Sequence, residues 1–283
     1  MIQNKNRISI VIPVYNEAEH IDDCLRAIAK QVVRPLEVIV VDNNSTDDTA
    51  ARIAKYSFVT LLKEPRQGVV HARNLGFDAA RGDIIGRIDA DTLLPSDWTQ
   101  NLKAIFAGNP RLDAVSGAVS YHDLPFPNFA RKIDLLFRQH IANKMAGEVF
   151  LYGANMGIRR SAWMKVRGDV CHAKGLHEDF DLAIHSQDLG SIITFDKRLK
   201  ASVSLRRVDV GAKDFWQYAI QNPLTYSSHG RRSQRHMYPA IGLVLAGFWI
   251  LKLIHKSYDG RNMSWRKLLI NSEARVNPAT FVD

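Results

Sequence analysis

The chain has 283 residues, 46% hydrophobic and 24% charged, which is apolar content enough for a substantial core and excludes global disorder. Its net charge of +9 is uneven: residues 201–283 carry 12 Lys and Arg against 5 Asp and Glu, while residues 1–200 carry 26 against 24. The two cysteines, Cys24 and Cys171, are too few and too far apart for a disulfide framework and lack the spacing of a cysteine metal motif.

Met1 to Arg7 contains no apolar h-region and no small-residue cleavage site, so a cytosolic location is expected. Ile8 to Val14 is a short, β-branched, nearly unbroken apolar run, as is Leu36 to Val41; both have the pattern of buried parallel strands. Between them Ile21, Cys24, Leu25, Ile28 and Ala29 recur at helical spacing, which gives Cys24 a core role. Beyond Asp42, Ser45 and Thr46 are candidate N-caps of a helix reaching Tyr56. A strand over 58–62, a helix over 69–80, a strand over 83–89, a helix over 96–106 and a strand over 114–120 follow. This alternation predicts an α/β chain: right-handed βαβ units in a Rossmann-like, mostly parallel sheet flanked by helices.

From 121 to 205 the pattern loosens. It predicts helices over 129–144 and 161–166, a small-residue segment over 152–158, a helix opening at Glu178-Asp179, and a hairpin-like pair over 192–195 and 199–205. The tail holds a helix near 215–221, a basic stretch over 229–235 and an apolar run over 239–254.

Ligands of such sheets bind beyond the carboxyl ends of the strands. Three polar clusters fall there: Pro13-Val14-Tyr15-Asn16-Glu17, Asp42-Asn43-Asn44-Ser45 and Asp89-Ala90-Asp91. Two carboxylates one residue apart repel each other. Taken alone, the pair is either a solvated strand end or a set of hard oxygen ligands for a divalent cation. Residues i and i+2 of a strand share a face, so both carboxylates are expected to enter the cleft while Ala90 does not. No GxGxxG follows the first strand and no GxxxxGK[ST] occurs, so dinucleotide and P-loop sites lose their main warrant.

The runs Ile10-Val11-Ile12-Pro13-Val14-Tyr15-Asn16-Glu17, Val40-Val41-Asp42-Asn43-Asn44-Ser45-Thr46-Asp47, Ala72-Arg73-Asn74-Leu75-Gly76 and Asp89-Ala90-Asp91, in that order, resemble the nucleotide-binding half of family 2 glycosyltransferases. His177-Glu178-Asp179 resembles the family's acidic catalytic motif, so the likeness covers residues 8–187. The resemblance implies a GT-A fold and inverting transfer of one sugar from a nucleotide-diphosphate donor, UDP-linked, to a hydroxyl acceptor. It implies a divalent cation, Mn²⁺ or Mg²⁺, on the diphosphate, where it stabilises charge as the glycosidic bond breaks.

Residue by residue, the resemblance makes Asp91 the direct metal ligand and gives Asp89 the nucleoside or a metal-bound water. It sets Asp42 against the base, Arg73 against base or phosphate, and Pro13, Tyr15 and Glu17 around the nucleoside. It makes Asp179 the general base with Glu178 in support, and puts Asn155 on the acceptor side. Each has a plainer reading. Asp42 can close a turn, Arg73 can form a surface ion pair, and Glu17, Glu178 and Asp179 can simply favour helix N-termini. Gly153-Ala154-Asn155 can be a close-packed turn. On this reading 1–205 is the catalytic domain (1–120 the nucleotide half, 121–205 the acceptor half), and 206–283 is a basic helical tail.

Processive members carry Gln-x-x-Arg-Trp after the acidic motif. It is absent here, which favours single transfer, with a cell-envelope glycan or glycolipid as the expected setting. The rival reading, a metal-dependent nucleotidyltransferase acting on sugar phosphates, wants a Gly-rich basic loop where Tyr15-Asn16-Glu17-Ala18-Glu19 is acidic. His177, Asp181 and His185 recur every four residues, but His-Glu-x-x-Asp does not meet the zinc-hydrolase pattern, so no second metal site is expected. Nucleic acid is not an expected partner, because the Arg-rich stretch lacks a recognised motif. The run Pro239–Ile254 would make a helix of about 24 Å, short of a bilayer core of roughly 30 Å. It reads either as a helix buried on the catalytic domain or as a peripheral attachment to an anionic cytosolic membrane face.

Overall fold

The computed structural model describes residues 6–144, 150–173, 175–259 and 264–265. Strands β1 (Ile8–Val14), β2 (Glu37–Asp42), β3 (Val59–Lys63), β4 (Ile84–Arg87), β5 (Ala114–Tyr121), β6 (Met156–Arg159) and β7 (Ile193–Val203) form one seven-stranded sheet, ordered β3-β2-β1-β4-β6-β5-β7. The first four strands are mutually parallel, β6 is antiparallel to both its neighbours, and β7 is parallel to β5. Around the sheet lie α1 (Ile21–Ala29), α2 (Thr49–Ile53), α3 (Val69–Ala79), α4 (Trp98–Gly108), α5 (Pro127–Lys144), α6 (Arg160–Val166) and α7 (Glu178–Asp188), followed by α8 (Ala212–Ser228) and α9 (Tyr238–Ser257). The mostly parallel, helix-flanked sheet is the fold expected from the alternating pattern.

Why these runs form a three-layer core follows from strand alternation. Ile8, Ile10, Ile12 and Val14 pack with Cys24, Leu25 and Ile28 of α1 and with Trp98, Leu102 and Phe106 of α4. Val11, Ile39 and Val41 point the other way, onto Ala72 and Phe77 of α3, Trp163 of α6 and Leu182 of α7. Both faces are covered, so the strands read as continuous apolar runs.

Two local expectations fail. The hairpin-like pair is a single strand, β7, whose register against β5 slips between Asp196 and Lys200. The polar residues that mimic a turn are the bulge itself, where Arg198 is held by Asp196 at 2.6 Å. Ser45 and Thr46 do not cap α2, which starts later, at Thr49. They instead tie two rim loops together: the Asn16 N–H donates to Ser45 Oγ at 3.0 Å and the Thr46 N–H to Asn16 Oδ1 at 2.8 Å. Asn16 and Asn44 both sit in the left-handed region (φ 52° and 62°), which asparagine tolerates.

The tail packs onto this body. Tyr226 of α8 and Met237 and Ile241 join Phe180 and Ile184 of α7 in one cluster, and Phe248 of α9 meets Val208, Val210 and Phe215 in another. His255 fixes the end of α9, with ring nitrogens 3.0 and 3.1 Å from the Asp123 and Asp209 carboxylates. Burial disfavours its charge, but the two carboxylates prevail and push its pKa up to about 9, so the imidazole is cationic at neutral pH. The opposite side of α9 stays open: Leu243, Trp249, Ile250 and Leu253 are each more than 60% exposed. No described helix is long and apolar enough to cross a membrane.

Candidate active site

The carboxyl ends of the strands open onto a cleft of ≈ 730 Å³ lined by Arg87, Asp89, Asp91, Glu178, Asp179 and Tyr218, among others. Val69 and Asp89 also line a second recess of ≈ 410 Å³, whose wall includes Pro13, Tyr15, Glu17, Asn43 and Ala90. The sequence-predicted Pro13, Tyr15, Glu17, Asp89, Asp91, Glu178 and Asp179 are therefore brought together.

The Asp89–Asp91 pair reaches the cleft by another route than expected. β4 ends at Arg87, and the pair lies in a turn closed by the Thr92 N–H on the Asp89 carbonyl at 3.1 Å. Asp91 is buried in that turn and Asp89 is about one-third exposed, at 35%. Cys24 lies beneath, its Sγ 3.8 Å from the Asp89 carbonyl, and is fully buried as a core residue should be.

Arg87 organises the acids. It stands on β4, almost wholly buried, with Asp89 at 3.0 Å, Glu178 at 3.2 Å and Asp179 at 3.1 Å. Burial opposes its charge, and the Asp179, Asp89 and Glu178 carboxylates more than offset that, raising its pKa above the ordinary arginine value. A buried charge inside an apolar strand is expensive unless paired. Here it is paired three times. Gly153 makes the arrangement sterically possible: a Cβ at that position would overlap the Arg87 guanidinium, and the Gly153 N–H donates to Asp179 Oδ2 at 2.8 Å.

Glu178 and Asp179 open α7, where the helix dipole favours negative charge. Their environments nevertheless separate them. Burial raises Asp179, Arg87 draws it back and Glu178 raises it again, leaving it above the ordinary aspartate value. Burial also raises Glu178, but His177, Arg87 and Arg73 outweigh it and hold it below the ordinary glutamate value. Two acids pushed in opposite directions are the pattern of an acid–base site.

At the other end of the cleft Arg206 bridges two acids from distant segments. Its Nη2 is 2.6 Å from Glu17 and its Nε 2.9 Å from Asp91. Asp91 and Glu17 thus share the Arg206 guanidinium while Asp89 pairs with Arg87, and their oxygens are the donor type that a hard divalent cation such as Mg²⁺ or Mn²⁺ takes. Asp91 and Asp89 are the residues that would hold it.

Three other assignments are corrected. Arg73 is fully buried, its Nη1 donating to the Glu178 carbonyl at 2.7 Å and its other nitrogens to Asn74, so it supports the start of α7 from behind instead of touching base or phosphate. Asp42 is buried and accepts the Ser45 N–H at 3.0 Å, closing its own turn; Asn43 lines the recess. Asn155 is fully buried, bonded to Trp98 Nε1 and to the carbonyls of Ala118 and Leu199, and it is Ala154 that faces the cleft. Sequence reasoning missed Arg87, Arg206, Arg207, Tyr152, Tyr218 and Gln221. Arg87 alone left a signal, as a lone cation inside Ile84-Ile85-Gly86-Arg87-Ile88. Arg231, in the basic stretch, pairs with Asp188.

Residues 9–167 match the family described as glycosyl transferase family 2. The chain is 34% identical over 128 residues to Glycosyltransferase AglE of Haloferax volcanii, covering 43% of this chain and 41% of that protein. It is 35% identical over 139 residues to the chondroitin synthase of Pasteurella multocida, covering 44% of this chain and 14% of the other. The chain thus spans less than half the length of these relatives. Among solved structures, the mannosyltransferase PcManGT from Pyrobaculum calidifontis, in complex with GDP-Man and Mn²⁺, superposes with a TM-score of 0.57 at 20% identity over 89% of this chain and 81% of that one. Glucosyl-3-phosphoglycerate synthase from Mycobacterium tuberculosis, in complex with Mn²⁺, UDP-glucose and phosphoglyceric acid, gives 0.57 at 21% identity over 80% of each chain. At such identities the likeness is one of fold.

Proposed function

This chain belongs to glycosyl transferase family 2 and is a glycosyltransferase of GT-A fold; from that premise we propose that it moves one sugar from a UDP-linked donor to a hydroxyl acceptor with inversion. The observation that carries this reading is the convergence, around Arg87, of the Asp89–Asp91 turn and the Glu178-Asp179 pair in one cleft. In this reading the nucleoside takes the recess lined by Pro13, Tyr15, Glu17 and Asn43, and Asp91 and Asp89 hold the cation. A divalent cation supplies charge stabilisation to the leaving diphosphate. Asp179 takes the proton of the acceptor hydroxyl as its oxygen attacks the anomeric carbon from the face opposite the diphosphate. Arg87 holds Asp179 and Glu178 in place. Residues 1–205 form the catalytic domain and 206–283 the tail, with Arg207 of the tail lining the cleft and Arg206 paired with Glu17 and Asp91. The acidic loop after β1 offers a triphosphate no basic cradle, which disfavours a nucleotidyltransferase.

Thermal unfolding against UDP-, GDP-, CDP- and dTDP-sugars, with and without Mn²⁺, tests this. A UDP-sugar at about 100 times its dissociation constant should raise Tm by roughly 5 °C, and only with the metal present. No stabilisation by any of the four sinks the proposal.

We further propose that α9 meets a membrane surface. The helix buries Ile241, Phe248 and their neighbours but leaves Leu243, Trp249, Ile250 and Leu253 in solvent, with the exposed Arg232 and Arg235 just before it. Apolar side chains flanked by basic ones suit the cytosolic face of an anionic bilayer, beside a lipid-linked envelope precursor. The protein should co-sediment with anionic liposomes at low salt, and a variant with Leu243, Trp249 and Leu253 changed to Glu should stay in the supernatant. Equal behaviour of the two refutes membrane attachment.

A further inference from the structure

Behind the cleft, α7 meets the end of α8. Four side chains from three segments point at one spot: Cys171 from the loop before α7, Asp181 and His185 from α7, and His229 just past α8. His185 Nε2 and His229 Nε2 are 3.1 Å apart, and both face Asp181 Oδ1, at 3.4 and 3.1 Å. Cys171 Sγ lies 3.5 Å from His185 Nε2 and 3.8 Å from His229 Nε2. All four donor atoms lie within 4.8 Å of one another. Zn²⁺ at its usual distances of about 2.3 Å to sulfur and 2.0–2.2 Å to nitrogen and oxygen requires tetrahedral edges of about 3.3–3.6 Å. The observed separations bracket that range.

The surrounding hydrogen bonds aim lone pairs at the same point. His229 Nδ1 is 2.7 Å from the Thr225 carbonyl, which can only accept, so Nδ1 carries the proton and a neutral ring presents a bare Nε2. The Cys171 N–H occupies Asp181 Oδ2 at 2.9 Å, turning Oδ1 inward. Asp181 is fully buried, and its Oδ1 accepts no hydrogen bond among the described residues. A cation that displaced the Cys171 thiol proton would find Sγ, Asp181 Oδ1 and His229 Nε2 facing one point, and outer anchors of this kind are what fix metal-ligating His and carboxylates.

We propose that Cys171, Asp181, His185 and His229 bind one structural zinc ion. Thiolate and carboxylate balance its charge, the two imidazoles complete the tetrahedron, and the thiol proton passes to solvent. With four protein ligands the site is closed, unlike a catalytic zinc, which keeps a position for water. Its consequence is mechanical. Asp181 lies two residues beyond Asp179 on α7, and His229 ends the helix that supplies Tyr218 and Gln221 to the cleft wall. Zinc would lock these two walls of the active site together. Sequence spacing showed Asp181 and His185 but not their partners, because Cys171 is 10 positions from Asp181 and His229 is 44 from His185, while His177, the third member of the repeat, faces Tyr218 instead.

The test uses the untagged full-length protein, purified without chelator and analysed for metal by mass spectrometry. One zinc per chain is expected, retained in Asp91→Asn and lost in Cys171→Ser and in His229→Ala, with a fall in Tm of about 5 °C or more. Substituting Co²⁺ in the wild type should give a thiolate-to-cobalt charge-transfer band that Cys171→Ser abolishes. The wild-type metal content and the cobalt band do not depend on how well the variants fold. A wild type that takes up neither Zn²⁺ nor Co²⁺ overturns the proposal, leaving a hydrogen-bonded histidine–carboxylate cluster. Full zinc content in both ligand variants overturns it as well.

Discussion

Asp179→Asn is expected to lower kcat by ~10²–10⁴-fold, the usual range for loss of a general base, while donor affinity barely changes. Asn is nearly isosteric and its Oδ1 can still accept the Gly153 N–H, so the turn against α7 persists. Arg87 keeps Glu178 and Asp89, which prevents the loss of one carboxylate from stranding a buried cation. What disappears is the acid of the pair that is pushed toward taking a proton. Steady-state kinetics beside donor titration separates the two effects. Near-normal turnover excludes Asp179 as the base, and a collapse in Glu178→Gln alone would transfer the role to its neighbour.

The second large effect is on the metal. Asp91→Ala should weaken Mn²⁺-dependent donor binding by more than ~10²-fold, since loss of even an outer partner of a metal ligand typically costs 10–100-fold. Stability should change little, because Arg206 keeps its contact with Glu17 at 2.6 Å. Calorimetric titration of donor into wild type and variant, with Mn²⁺ and with chelator, measures this. Undiminished wild-type affinity in chelator would falsify the assignment of a cation to Asp89 and Asp91.

How much of this could be read from the chain depends on how local each signal is. Strands β1 to β5 and α1, α3 and α4 were legible because each buried face repeats within a few residues: Ile8, Ile10, Ile12 and Val14 on one side, Val11 on the other. The Asp89–Asp91 pair was found for a reason that proved wrong in detail, since a turn and not a strand pleat presents it. Arg73 and Asn155 carry the right residue types at motif positions, yet both are spent on buried hydrogen bonds that hold other elements. Their chemistry is visible in sequence, but their direction is not. Arg206 could not be foreseen at all, because it meets Glu17 across 189 positions and nothing local marks it. The Asp196–Arg198 bulge of β7 shows the converse, a local polarity that looks like a turn and is absorbed by a strand.

The sheet order carries a consequence for the birth of the molecule. β6 lies between β4 and β5, so the edge of β4 cannot be covered by the strand that follows it in sequence. A chain emerging amino end first holds that edge bare until Met156–Arg159 arrives to pair with Ile84–Arg87. An open edge is a template for other chains, and pairing across so long a loop is slow to form. Residues 1–120 by themselves are therefore a sheet left unfinished. Its completion waits on the segment that also delivers Gly153, and with it the space into which Arg87 fits.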